Sequence, residues 1–214
     1  IANIYSKGLN NEIKQLSKLS INFVYLLGLP MMVGCFICGN IFVPIFFGNQ
    51  YKPAIPILYI LSTLFIILGF GQILGGFLIS TNRQKDYTVA VSLAAVVNLA
   101  LNFIFLVVFR FGAIGVSIAT IFSESISTLV QIYCLRDLLD MSSFVKGFLR
   151  YGCITIIAIL PISFLIMTIP ISLLIKLVLI IICSVLLYGS LLFLIKDKAF
   201  NYMIKPLINK IRKE

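Results

Sequence analysis

The sequence predicts an all-α integral membrane protein of about six transmembrane helices, and three observations carry that expectation. Charge is scarce: 11% of the residues are charged and 61% are hydrophobic, against roughly 25% charged in a soluble domain. Charge is also segregated. None lies between Lys18 and Lys52, between Lys52 and Arg83, or between Asp86 and Arg110. Each gap exceeds the roughly 20 residues that carry a helix across a bilayer core. Finally, LLIKLVLIIICSVLLYGSLLFLI (173–195) does not alternate apolar with polar residues, as a barrel strand must. Backbone groups in lipid bond internally, so helices remain.

Residues 1–19 are polar and basic and read as a cytoplasmic loop. They lack the basic start, short apolar core and cleavage site of a signal peptide, and the chain reads as a segment of a longer protein. The first span, about 20–47, holds Pro30 and Pro44. Each removes a helix hydrogen bond, so a kink or tilt is expected. Pro53 and Pro56 open the second span, about 54–80, in a first turn that tolerates proline. Its Gly71 and Gly75, in GxxxG spacing with Gln72 between them, suit close helix packing.

The polar patch Asn82–Asp86 separates this span from the third, about 87–109, which carries Asn98 and Asn102 one turn apart. The fourth, about 113–135, repeats small residues every four positions: Gly115, Ala119, Ser123, Ser127. That stripe lets another helix approach closely. Beside it run Thr120, Glu124 and Thr128, then Gln131. A second loop, 136–147, leads to two more spans, about 148–169 and 171–195, that meet in a short turn at Pro170. Lys176 sits near the end of its span, where it can snorkel. The tail, 196–214, is basic with scattered apolar residues and is expected along the inner surface.

Lys and Arg orient the chain. With the N-terminus in the cytoplasm, the inside set is Lys7, Lys14, Lys18, Arg83, Lys85, Arg136, Lys146, Arg150, Lys196, Lys198, Lys205, Lys210, Arg212 and Lys213. Outside remain Lys52, Arg110 and Lys176. The patch at Asn82–Asp86 is then a cytoplasmic turn, either a solvated loop or a contact to anionic headgroups. A net charge of +10 does not indicate nucleic acid here, because the basic residues flank apolar runs and form no separate domain.

Chemistry concentrates in the fourth span. Glu124 is the only acidic residue inside any span, and a carboxyl group near mid-bilayer costs several kcal/mol unless neutral, paired or hydrated. Asn98 lies twelve residues before Arg110 and Glu124 twelve after Gly112, so the two should share a depth on neighbouring helices. Glu124, Asn98, Asn102, Thr120 and Thr128 are therefore candidates for transport or ion coupling. The alternative is that the Asn residues and Glu124 bond one another as interhelical glue. No cofactor or metal is expected: the chain has no His, and Cys35 and Cys38 (CFIC) lie within an apolar run without a second pair.

Several stretches occur in a familiar order: IANIYSKGLNNEIKQLSKLS, then LLGLPMMVGCFICGNIFVPIFFGNQYKPAIPILYILS, then GQILGGFLISTNRQKDY and NLALNFIFLVVFRFGAIGVSIATIFSE. Together they resemble the multidrug/oligosaccharidyl-lipid/polysaccharide exporter superfamily, in particular the Wzx-type O-antigen or capsule repeat-unit flippases. The resemblance runs from Ile1 to about Leu135; beyond that only apolar character matches. It implies two helical lobes around a central cavity. Residues 20–135 would be four helices of the second lobe and 148–195 two additional C-terminal helices, with the first lobe absent from this sequence. It further implies flipping of an undecaprenyl-diphosphate-linked oligosaccharide across the bacterial plasma membrane by alternating access. Arg83, Lys85 and Arg110 become candidates for the headgroup.

The partners implied are the lipid-linked oligosaccharide, membrane lipids and the N-terminal lobe of the same protein. The competing readings are a cation-coupled drug exporter of the same superfamily and a membrane-embedded glycosyl- or acyltransferase. The enzyme reading suffers from short outer turns, the lack of His, and Asp137 and Asp140 as the only loop carboxylates close together.

Overall fold

In a computed structural model, which describes residues 1–211, the chain is an all-α membrane protein with no strand among the described residues. Arg212 and Lys213, and the side chain of Lys210, lie outside what is described. In chain order come α1 (Ala2–Ser6), α2 (Asn10–Phe46), a 3-10 turn over Asn49–Ala54, α3 (Ile55–Ser62) and α4 (Leu64–Ser80). α5 (Gln84–Phe103) runs on into a π-helical turn over Ile104–Val108; then follow α6 (Gly112–Leu135), α7 (Ser142–Thr168), α8 (Leu173–Leu194) and α9 (Lys198–Ile211). Six stretches are long and apolar enough to cross a membrane: Asn10–Phe46, Asn49–Ser80, Gln84–Val108, Gly112–Leu135, Ser142–Thr168 and Leu173–Leu194. Each overlaps one of the six expected spans, the first and fifth starting earlier than expected.

α2 is the spine. It packs on α3 and α4 to one side and on α7, α8 and α9 to the other, while α5 reaches the bundle through α6 and α4. The larger core gathers at the end of the bundle that carries most of the Lys and Arg, here the basic end. It includes Ile13, Ile21, Leu26, Phe77, Leu78 and Tyr151. A smaller core at the opposite end joins Cys38 and Ile41 to Ile166, Leu177 and Ile180.

α2 continues through both prolines. Pro30 has no N–H, so the carbonyl of Leu26, four residues back, loses its helical donor. The Tyr188 hydroxyl of α8 donates to that carbonyl at 2.9 Å, in a buried setting. A defect in one helix thus becomes a specific tie to another. α7 similarly contains Pro161. The turn between α7 and α8 follows from Pro170, which holds Ile169 in an extended conformation (φ −75°, ψ 133°).

Two helices end in the same way. After α4, Asn82 has φ +60°, the Arg83 N–H reaches the Leu78 carbonyl and the Asn82 N–H that of Ile79. After α8, Lys196 has φ +53°, with Asp197 bonded to Leu192 and Lys196 to Phe193. This is the Schellman pattern, which closes orphan carbonyls with one left-handed residue.

The expected loops differ from the observed segments. Residues 1–19 are mostly helical: α2 begins at Asn10, because Ile13, Ser17 and Ile21, spaced by four, share a buried face. Of 136–147 only residues 136–141 form a turn; Ser143 and Gly147, again spaced by four, are buried as α7 begins. A charge-based boundary misses such amphipathic extensions. The second span is also interrupted at Thr63, between α3 and α4, where Ser62 and Thr63 hydroxyls donate to the carbonyls of Tyr59 and Ile60.

Candidate functional site

Successive residues of an α-helix point about 100° apart, and that rule organises α6. Ser123 faces α5, where the Asn98 amide donates to its hydroxyl at 3.0 Å. Thr128 faces α4 and donates to the Ile67 carbonyl at 3.3 Å. By the same rule Glu124 falls between these two directions, on the side of α6 that lies between α4 and α5. Its side chain is half-buried, and among the described residues it has no hydrogen-bond or ion-pair partner.

Asn98 and Glu124 do reach the same depth on adjacent helices. Only one of Ser123 and Glu124 can face α5, however, and it is Ser123. Direct bonding between the Asn residues and Glu124 is therefore not what the geometry contains. A short polar wire runs instead: Asn102 donates to the Asn98 side-chain oxygen at 2.9 Å, Asn98 to Ser123, and Ser123 to the Thr120 carbonyl at 3.0 Å. The Asn102 side-chain oxygen is buried at the head of this wire without a partner. Thr120 itself donates to the Val116 carbonyl at 3.0 Å.

Small residues bring these helices together. Ala119, Ser123 and Ser127 are all buried. A Cβ added at Gly115 would stand 2.8 Å from the Phe105 Cβ, and one at Gly75 2.7 Å from the Tyr87 ring. Near Gly75 lies Gln131, which is 2% exposed. It donates to the Ser127 hydroxyl at 3.2 Å, while its own oxygen has no partner. Gln131 lies seven residues, or about 10.5 Å, along the same face of α6 from Glu124.

The three headgroup candidates are scattered. Arg83 forms a two-pronged ion pair with Asp137, at 2.9 and 2.7 Å, and donates to the Cys134 carbonyl at 2.5 Å. It joins the α4–α5 turn to the α6–α7 turn. These hydrogen bonds push the Asp137 carboxyl below its ordinary value and raise the already high value of Arg83. Lys85 is exposed. Arg110 is exposed at the opposite end, in a left-handed turn residue with φ +55°.

One polar cluster escaped the sequence reading. Asp197, 1% exposed, accepts from the Tyr151 hydroxyl at 2.9 Å and from Arg150 at 2.9 Å. It also accepts from the Phe200 N–H at 3.0 Å, capping α9. α9 is thereby pinned to α7, with Ala199 and Phe200 in the main core. An Asp three residues before Phe200 was a legible N-cap signal. Among the described residues no group of three or more His, Cys, Asp or Glu is placed to hold a metal.

Neither a protein-family model, nor a curated protein, nor a solved structure matches the chain.

Proposed function

We propose that the full protein flips an undecaprenyl-diphosphate-linked oligosaccharide repeat unit across the bacterial plasma membrane by alternating access, for surface polysaccharide synthesis. This chain is then most of the second lobe, its basic end is cytoplasmic, and the first lobe supplies the facing wall of the cavity. The sequence resemblance supports the substrate class. The observation that carries the transport reading is Glu124, a half-buried acidic side chain midway along the membrane-spanning α6 that has no hydrogen-bond or ion-pair partner among the described residues. An ionisable group held inside the membrane without a partner marks an ion or substrate route.

In this reading Glu124 binds and releases a proton or cation as the lobes alternate. The wire through Ser123, Asn98 and Asn102 fixes α5 against α6 beside it. Thr128 fixes α4, so both helices that flank Glu124 are tied to α6. Lys85 is free to meet the diphosphate at the cytoplasmic rim, whereas Arg83 is already matched by Asp137. The protein is a carrier and performs no bond chemistry.

A second reading is favoured by the same residue: the unpartnered side chain on α6 is acidic, which suits a cation-coupled exporter of cationic drugs. Deleting the gene separates the two. A flippase leaves lipid-linked oligosaccharide accumulated on the cytoplasmic leaflet, restored by the intact gene. Unchanged lipid-linked sugar with altered sensitivity to cationic drugs establishes the exporter instead.

A further inference from the structure

An apolar groove of about 430 Å³ runs between α2, α8 and the start of α9, away from Glu124. Its volume falls within the range of roughly 300–1,000 Å³ typical of small-molecule sites. Small residues hollow it out: Pro30 and Gly34 on α2, Ser184 and Gly189 on α8. A Cβ added at Gly34 would meet nothing within 4 Å, and one at Gly189 only the tip of Phe200, at 3.9 Å. Its rim residues Met31 and Val185 are exposed, so the groove opens sideways, toward the surroundings of the bundle.

Length and charge indicate the occupant. Along α8 the lining extends from Ile180 to Leu192. At 1.5 Å per residue that is about 18 Å, close to one leaflet of a hydrocarbon core about 30 Å thick. At the basic end the lining is closed by Phe200 and Met203 of α9. Lys196 follows Leu192 by one turn and Lys198 precedes Phe200 by two residues, so the chain that closes this end carries two exposed lysines. The acid between them, Asp197, is buried and already matched by Arg150. Neither ammonium group has an acidic partner among the described residues. An apolar slot one leaflet long, closed by a segment that carries two unpaired lysines, fits a chain attached to an anionic headgroup.

We propose that this groove retains an anionic phospholipid from the leaflet at the basic end, with one acyl chain along α8 and the phosphate at Lys196 and Lys198. α9, fixed by the Asp197 cap, forms the shelf on which the headgroup rests.

The test uses the full-length protein in neutral detergent, stripped of lipid and titrated with phosphatidylglycerol or phosphatidylcholine under native mass spectrometry. One phosphatidylglycerol should be retained per chain, with roughly thirtyfold preference over phosphatidylcholine for two basic contacts near the surface. Gly34→Leu, which fills open space, should lose retention of both lipids. Lys196→Gln with Lys198→Gln should keep retention and lose the preference. Equal retention of the two lipids by the unaltered protein overturns the proposal. So does undiminished retention by Gly34→Leu, or preferential displacement of phosphatidylglycerol by a polyprenyl phosphate. Should Gly34→Leu fail to fold, Gly189→Leu and the lysine variant decide the same question.

Discussion

The tie between Tyr188 and Pro30 can be dissected quantitatively. Pro30 leaves the Leu26 carbonyl without a helical donor, and the Tyr188 hydroxyl takes that place at 2.9 Å. Leu26 is 1% exposed and Tyr188 9%, so water cannot replace the lost donor. Tyr188→Phe removes the hydroxyl and keeps the ring. Leaving a buried acceptor unmet costs about 1–3 kcal/mol, and measured interhelical hydrogen bonds in a membrane protein average about 0.6 kcal/mol. A loss of about 1–2 kcal/mol is expected. Pro30→Ala restores an N–H four residues after Leu26, inside the helix. In that background Tyr188→Phe should cost about 0.5 kcal/mol or less, because the carbonyl is satisfied either way. The coupling is then about 1 kcal/mol. A double-mutant cycle by reversible unfolding in mixed detergent–lipid micelles measures it. Additivity within about 0.3 kcal/mol would refute the claim that the proline and the tyrosine form one device.

Three further outcomes follow from the same geometry. Asp197→Ala removes an N-cap, about 1 kcal/mol, and leaves the Tyr151 hydroxyl unpaired, about 1–3 kcal/mol. Arg150 is discounted because its side chain is 42% exposed. Hydrogen exchange should show α9 losing protection by about 2–4 kcal/mol in total, and much less in Asp197→Asn; equal protection in all three proteins contradicts the cap. The Asp137 carboxyl is held below its ordinary value, about 3.9, by Arg83. Its contribution is complete above that ordinary value and disappears as pH falls through the lowered one. It is below about 1 kcal/mol for so exposed a pair. Asp137→Asn should flatten the acid limb of thermal melts, leaving the slope due to Asp140, which Ser143 and Ser142 hold low. Gly75→Val should destabilise by about 1–3 kcal/mol through overpacking against Tyr87, whereas Gly76→Ala, facing open space, should not; equal melting temperatures argue against close packing there.

Spans were legible because a membrane segment announces itself through the absence of charge, as between Lys52 and Arg83. Helix extensions outside the apolar runs were not, since Ile13, Ser17 and Ile21 form a buried face inside a stretch that looks polar. The depth match of Asn98 with Glu124 could be counted from the Arg110–Gly112 turn. The choice of Ser123 as partner could not, because it depends on the rotation of α6 against α5. Asp197 was legible as an N-cap, but its burial was hidden by its neighbours: KDK reads as surface charge until α9 folds back and buries the middle residue. The groove beside α8 was out of reach altogether, since Gly34 and Gly189 are far apart in sequence and define a hollow only when the helices pack.

The central claim, transport governed by Glu124, is tested most directly by reconstitution. Full-length protein and its Glu124→Gln variant would be placed in liposomes carrying polyprenyl-diphosphate-linked oligosaccharide. A lectin that cannot cross the bilayer would then report the sugar in the outer leaflet over a range of pH. The account expects the unaltered protein to equilibrate the sugar between leaflets with a pH-dependent rate, and Glu124→Gln to lose that dependence along with most of the rate. Equal rates and an unchanged pH profile in the two proteins would contradict it, and would leave Glu124 as a polar element of the packing alone.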